Sequence, residues 1–249
     1  MIITLKIHHL KGMKKMNITT VLFDLDGTLL PMDQDIFIKG YLGGLAKKLA
    51  PYGYNLEIFP KAMWSGVGAM TKNDGSIRND EAFWKTFCSF MGEHVRNDEP
   101  VFEDFYRNEF QKVKDLCGFN PDSAKIVHEL KAAGYRIILA TNPLFPAIAT
   151  ESRIRWAGLK PEDFEYYTVY DNSYHCKPNP AYYQDLIDQL NLNPSECLMV
   201  GNDVDEDMVA ETLGMKVFLL TDSLINKHDK DIEQYPHGGF DELMKYLGL

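Results

Sequence analysis

Two aspartates stand one residue apart in Phe23-Asp24-Leu25-Asp26-Gly27-Thr28-Leu29. Residues two apart on an extended chain point the same way, so Asp24 and Asp26 project together from the end of an apolar run. Gly27 allows the backbone to turn sharply, and Thr28 can satisfy a freed amide. Carboxylates about 4 Å apart repel by roughly 4 kcal/mol at an effective dielectric near 20. Either a cation sits between them or one keeps a proton. Both states are useful: one carboxylate can attack while the other donates and then accepts a proton. A solvated Asp-rich turn would explain a bare pair, but the apolar run before it and Gly-Thr after it favour a reactive one.

Such a pair needs elements to hold it. Compact apolar runs recur at 20–23, 136–140, 166–170, 197–200 and 216–220, each followed by polar residues. Short runs rich in β-branched and aromatic residues suit strands buried on both faces. Helical stretches lie between them. Asn120-Pro121 opens one that Gly134 ends, Asn179-Pro180 opens a second, and Asn202 to Leu213 reads as a third, stopped by Gly214. This alternation predicts an α/β fold with a Rossmann-like parallel sheet, whose ligands bind at the carboxyl ends of the strands. Asp24, Thr141, Asp203 and Asp222 fall at those ends. Residues 32–118 break the pattern. The spacing of apolar residues in 83–91 and 102–113 predicts amphipathic helices, so this stretch reads as a mainly helical cap inserted into a core of residues 16–31 and 119–249. Its loop Ser65 to Gly75, with Lys72 and Asn73, is either a substrate-contacting segment or a plain turn between helices.

The segment Asp24-Leu25-Asp26-Gly27-Thr28 resembles the first motif of the haloacid dehalogenase-like hydrolase superfamily. Leu139-Ala140-Thr141-Asn142 resembles the second, Cys176-Lys177-Pro178-Asn179-Pro180 the third, and Val200-Gly201-Asn202-Asp203 through Asp207 the fourth. The resemblance runs from about residue 17 to 222, with the insertion placed as in the helical-cap members. It implies roles. Asp24 would attack phosphorus and form an aspartyl-phosphate. Asp26 would protonate the leaving alcohol and then activate water, its carbonyl also binding the metal. Thr141, helped by the Asn142 amide, would bind a phosphoryl oxygen. Lys177 would neutralise charge on the nucleophile and the phosphoryl group.

The fourth motif departs from the usual Gly-Asp, because Asn202 follows Gly201. A neutral amide is a poorer ligand for a hard cation than a carboxylate. Asp203 is therefore the expected metal ligand beside Asp24 and Asp26, with Asp207 behind it and Asn202 as the alternative. Asp205 and Glu206 read as solvated acids at a helix start. A metal is also required by charge alone. A phosphate dianion cannot readily approach Asp24, Asp26 and Asp203, and Lys177 supplies one positive charge; Mg²⁺, which favours oxygen ligands and substrate phosphate, fits.

Composition narrows the partners. The chain has 249 residues, 45% of them apolar, and a formal charge of −10, which disfavours nucleic acid or an anionic membrane as the main partner. Cys88, Cys117, Cys176 and Cys197 have neither CxxC nor zinc spacing, as expected for reduced thiols in the cytoplasm. No apolar run approaches a membrane span, and residues 1–15 read as a disordered tail or an over-long start, with Met13 and Met16 as other candidate starts. His175 reads as a solvated loop residue. The expected partner is a small phosphorylated metabolite, handled by a monomer or homodimer. The leading reading is an Mg²⁺-dependent phosphatase. The alternatives are a sugar phosphomutase and a binding protein that keeps the fold without turnover.

Overall fold

The computed structural model describes residues 17–249; the reading of 1–15 as a tail lies outside them. Six parallel strands form one sheet: β1 (Thr20–Phe23), β2 (Arg136–Leu139), β3 (Tyr166–Tyr167), β4 (Cys197–Gly201), β5 (Lys216–Leu220) and β6 (His237–Gly238), in the order β3-β2-β1-β4-β5-β6. The order reverses beside β1, which lies between β2 and β4. Phe23 registers with Leu139 on one side and Val200 on the other. Asp24 N–H donates to the Val200 carbonyl at 2.9 Å and Ala140 N–H to the Phe23 carbonyl at 2.7 Å. The three strands therefore end level, and the residues that follow them meet at one edge.

Alternate strand residues serve two apolar layers. Phe23, Leu139, Val200 and Phe218 face one layer, covered by α5 (Pro121–Ala132), α6 (Ala147–Trp156) and α8 (Phe240–Leu247). Leu22, Ile138, Met199 and Leu219 face the other, covered by α7 (Pro180–Leu190) and by 3₁₀ turns over Met208–Leu213. The helix starts follow the sequence signals. The side chain of Asn120 accepts from Asp122 N–H, and that of Asn179 accepts from Ala181 N–H, each ahead of a proline in the first turn.

Between β1 and α5 the chain is helical: α1 (Gln34–Leu49), α2 (Phe59–Thr71), α3 (Asn79–Met91), α4 (Glu99–Arg107) and 3₁₀ turns over Glu109–Leu116. It leaves and returns at a single point, where Gly118 N–H donates to the Pro31 carbonyl at 2.7 Å. Residues of α1 hang over the strand ends. Among the described residues no helix is long and apolar enough to cross a membrane.

Three expectations need correction. Asn202 to Leu213 is not an α-helix but a run of turns ending in 3₁₀ geometry. The run 166–170 pairs only through Tyr166 and Tyr167, because the Asn172 side chain takes Val169 N–H at 2.8 Å and turns the chain. The segment from Ser65 is mostly α2, and the loop starts only after Thr71. Gly66 serves close packing there, since a Cβ would stand 2.6 Å from the Phe83 ring.

Candidate active site

At the carboxyl edge of β1, β2 and β4 lies a cavity of about 120 Å³. Asp24, Asp26, Thr141, Asn142, Asn202, Asp203 and Asp207 line it together with Glu206 and with Phe37 and Ile38 of α1. Lys177, wholly buried, lies behind Asp24. Its ammonium donates to Asp24 Oδ1 at 3.0 Å and to Asp207 Oδ1 at 2.7 Å. Burial works against its charge, but Asp207 and Asp24 outweigh that and hold its pKa well above the usual lysine range. Asp207 spends its other oxygen on Asp203 N–H at 2.9 Å. Gly201 makes room for this: a Cβ there would meet Asp207 Oδ2 at 2.0 Å.

Asp203 opens the turn. Its Oδ1 accepts from the amides of Asp205 and Glu206 at 2.8 and 3.0 Å. Asn202 is engaged elsewhere: Oδ1 accepts from the Thr28 hydroxyl at 2.9 Å and Nδ2 donates to the Ser223 carbonyl at 2.7 Å. Gly27, at φ +89°, lies so close above it that a Cβ would stand 2.3 Å from Nδ2. Thr141 is fixed through its backbone, whose carbonyl accepts from the hydroxyls of Thr168 at 2.6 Å and Tyr182 at 3.0 Å.

The sequence reading missed Arg153. It is wholly buried on α6, pairs with Asp26 Oδ2, and stacks over the Phe145 ring at 4.4 Å. Its signal was an arginine on the same helix face as Ala149 and Trp156. Asp26 Oδ1, by contrast, is buried with no hydrogen-bond partner among the described residues. Burial pushes the Asp26 carboxyl up, Arg153 opposes this, and the charge of Asp24 adds to the rise.

Glu206 is not the solvated acid expected. It accepts from Asn142 Nδ2 at 3.0 Å, its carbonyl accepts from the Tyr183 hydroxyl at 2.9 Å, and burial raises its pKa to about 7. His175 is not solvated either, as its Nδ1 lies 2.7 Å from Asp185 Oδ2. Asp222 is exposed beyond β5 and stands apart from the cavity. Asn73 is buried against Ile77 and Asn79, which makes it a structural residue.

The donor set suits Mg²⁺. Four aspartates have only two cations as partners, their carboxylates offer oxygen ligands, and Asp26 Oδ1 lacks a partner among the described residues. Among the described residues no three acidic, histidine or cysteine side chains are gathered as a ready-made cation site. The ion would rest on the carboxylates of Asp24 and Asp203 and the carbonyl of Asp26, with water or substrate completing its shell, as Mg²⁺ prefers.

Known proteins are similar to this chain. Pyrophosphatase PpaX of Bacillus velezensis is 26% identical over 205 residues, 80% of this chain and 81% of that protein. A phosphatase structure from Thermococcus onnurineus superposes with a TM-score of 0.57 at 20% identity, covering 93% of this chain and 98% of that one. The hydrolase YfnB of Bacillus subtilis, described as bound to magnesium, gives 0.55 at 16% identity over 93% and 99%. The sequence model of the haloacid dehalogenase-like hydrolases matches residues 18–210. With that match spanning most of its length, the chain belongs to the haloacid dehalogenase-like hydrolase family and is an enzyme of it.

Proposed function

We propose that the enzyme is an Mg²⁺-dependent phosphatase that hydrolyses a small phosphorylated metabolite through an aspartyl-phosphate. The observation that carries this is the different partnering of two carboxylates that face one cavity. Asp24 accepts from the buried Lys177 ammonium, while Asp26 is half-buried, paired with Arg153 through one oxygen only, and its carboxyl is pushed up by burial.

Lys177 occupies Asp24 Oδ1, which leaves Oδ2 to attack phosphorus. As that O–P bond forms, the bond from phosphorus to the leaving oxygen breaks, and that oxygen takes the Asp26 proton. Arg153 holds Asp26 Oδ2, so the exchangeable proton belongs on Oδ1. The Asp26 carboxylate then takes a proton from water; the resulting hydroxide attacks phosphorus, and Asp24 leaves as a carboxylate. Thr141 and the Asn142 amide hold the phosphoryl oxygens. When bound, Mg²⁺ supplies positive charge to the phosphoryl group and the attacking carboxylate.

The names of the Bacillus relatives support phosphorus chemistry. Asn202, the residue that most favoured a binding protein without turnover, has a structural task between Thr28 and Ser223. Hydrolysis of p-nitrophenyl phosphate with Mg²⁺ tests the proposal. Asp24→Asn should abolish it, and unchanged activity in that variant would remove Asp24 as nucleophile. Isomerisation of a sugar phosphate with little free phosphate would instead mark a mutase.

A further inference from the structure

A second cavity, of about 110 Å³, lies against the first and shares Ile38, Leu144 and Phe145 with it as walls. It is bounded by α1, α2, α3 and α4 on one side and by the segments after β2 and β3 on the other. None of its fourteen lining residues carries a charge. Among them Leu42, Val67 and Trp84 are apolar or aromatic. The hydroxyls of Tyr41 and Tyr106 share one hydrogen bond at 2.8 Å, which leaves a single O–H proton between them to offer a ligand. Nearby cations are committed elsewhere: Arg78 to Asp80, Arg96 to Glu99 and Arg153 to Asp26.

We propose that this cavity receives the leaving group, and that the substrate is therefore the phosphomonoester of an apolar alcohol with one ring or a short branched chain. The inference rests on the phosphatase reading, and the shared walls put the cavity beside the aspartates on the side of the helical insertion, within reach of the alcohol side of an ester bound there. An engineered apolar cavity of about 150 Å³ takes benzene, so a space of this size matches a single small ring or about five carbons. A second phosphate, as in inorganic pyrophosphate, would have to shed its water among uncharged walls, which is costly for an ion without a partner. A sugar would leave several hydroxyls unpaired. The cavity thus departs from the substrate that the Bacillus relatives' name would suggest.

The test is a comparison of kcat/KM with Mg²⁺ for benzyl, isopentyl and methyl phosphates, glycerol 3-phosphate and inorganic pyrophosphate. Methyl phosphate is the reference, since it reaches only the aspartate cavity and its leaving group is about as basic as benzyl alcohol. The benzyl and isopentyl esters should exceed it by about 10- to 50-fold. Equal values, or a preference for glycerol 3-phosphate or pyrophosphate, would overturn the assignment. Val67→Trp, which fills the cavity, should lower the benzyl-to-methyl ratio about tenfold. Calorimetry on the unaltered enzyme with Mg²⁺ gives a readout independent of turnover and of the variant's folding. Benzylphosphonate should bind at least about tenfold more tightly than methylphosphonate, and equal affinity would refute the cavity assignment. If no ester is hydrolysed yet this difference persists, the phosphatase reading fails and the leaving-group role falls with it, while the cavity still stands as the site for the apolar end of a phosphorylated ligand.

Discussion

Lys177 has two aspartates as partners and no exposure to water, so its charge supports both the fold and the reaction. Lys177→Ala would leave Asp24 and Asp207 buried without a cation. Removing one member of a buried ionic cluster costs about 3–5 kcal/mol, and lost transition-state charge costs about 10²- to 10³-fold in turnover; urea unfolding and steady-state kinetics read the two effects separately. Glu206 gives a pH signature. Its folded pKa of about 7 lies above the ordinary carboxylate value, because burial disfavours the ion. The folded protein thus holds a proton that the unfolded chain has released. Stability from this group is fully present below about pH 4.5 and is lost as pH rises through 7, by about 3 kcal/mol. In EDTA, Glu206→Gln should flatten the urea-unfolding midpoint between pH 5 and pH 8 relative to the parent. Asp24, Asp26, Thr141 and Asp203 were legible because each follows an apolar run. Arg153 was not, since its partner lies 127 positions away and nothing local marks a buried arginine as paired.

At the scale of elements, turn chemistry overrode periodicity after β4. Asp203 and Asp207 exchange side-chain bonds with nearby amides, which offers the backbone an alternative to helix. The helical reading of 202–213 failed there, and with it the view of Glu206 as a solvated first-turn acid. The loop expected from Ser65 failed in α2 for a different reason: Gly66 there serves close packing of the helix on Phe83. The segment leading into Lys177 is fastened to the helical insertion by Asn79. Its backbone N–H donates to the Ser173 carbonyl at 2.9 Å, and its amide reaches the His175 carbonyl at 3.2 Å and Cys176 Sγ at 3.3 Å. Asn79→Ala would leave buried acceptors without partners, at about 1–3 kcal/mol. The variant should unfold at lower urea and turn over more slowly through a loosened Lys177 segment, whereas an unaltered unfolding midpoint would show the link to be idle.

For the whole molecule, alternating runs and helix signals were enough to read a parallel α/β sheet with a helical insertion. The pairing of β6 was not readable, because His237–Gly238 is too short to leave a pattern. Charge makes the largest prediction at this scale. With four aspartates lining one cavity and only Lys177 and Arg153 paired to them from outside it, Mg²⁺ should stabilise the folded state alone. At a hundredfold excess over its dissociation constant this gives about 2.7 kcal/mol, or roughly 5–10 °C in Tm for a chain of this size. Calorimetric scans with and without EDTA should show the shift in the parent and lose most of it in Asp203→Ala. The apolar layer on the Phe23 side of the sheet has its own consequence, for it continues without a break into Phe59, Phe87 and Phe102 of the insertion. Transplanting a relative's insertion onto this scaffold would be surgery on a shared interior, and a chimaera would need its seam repacked before its selectivity could be judged.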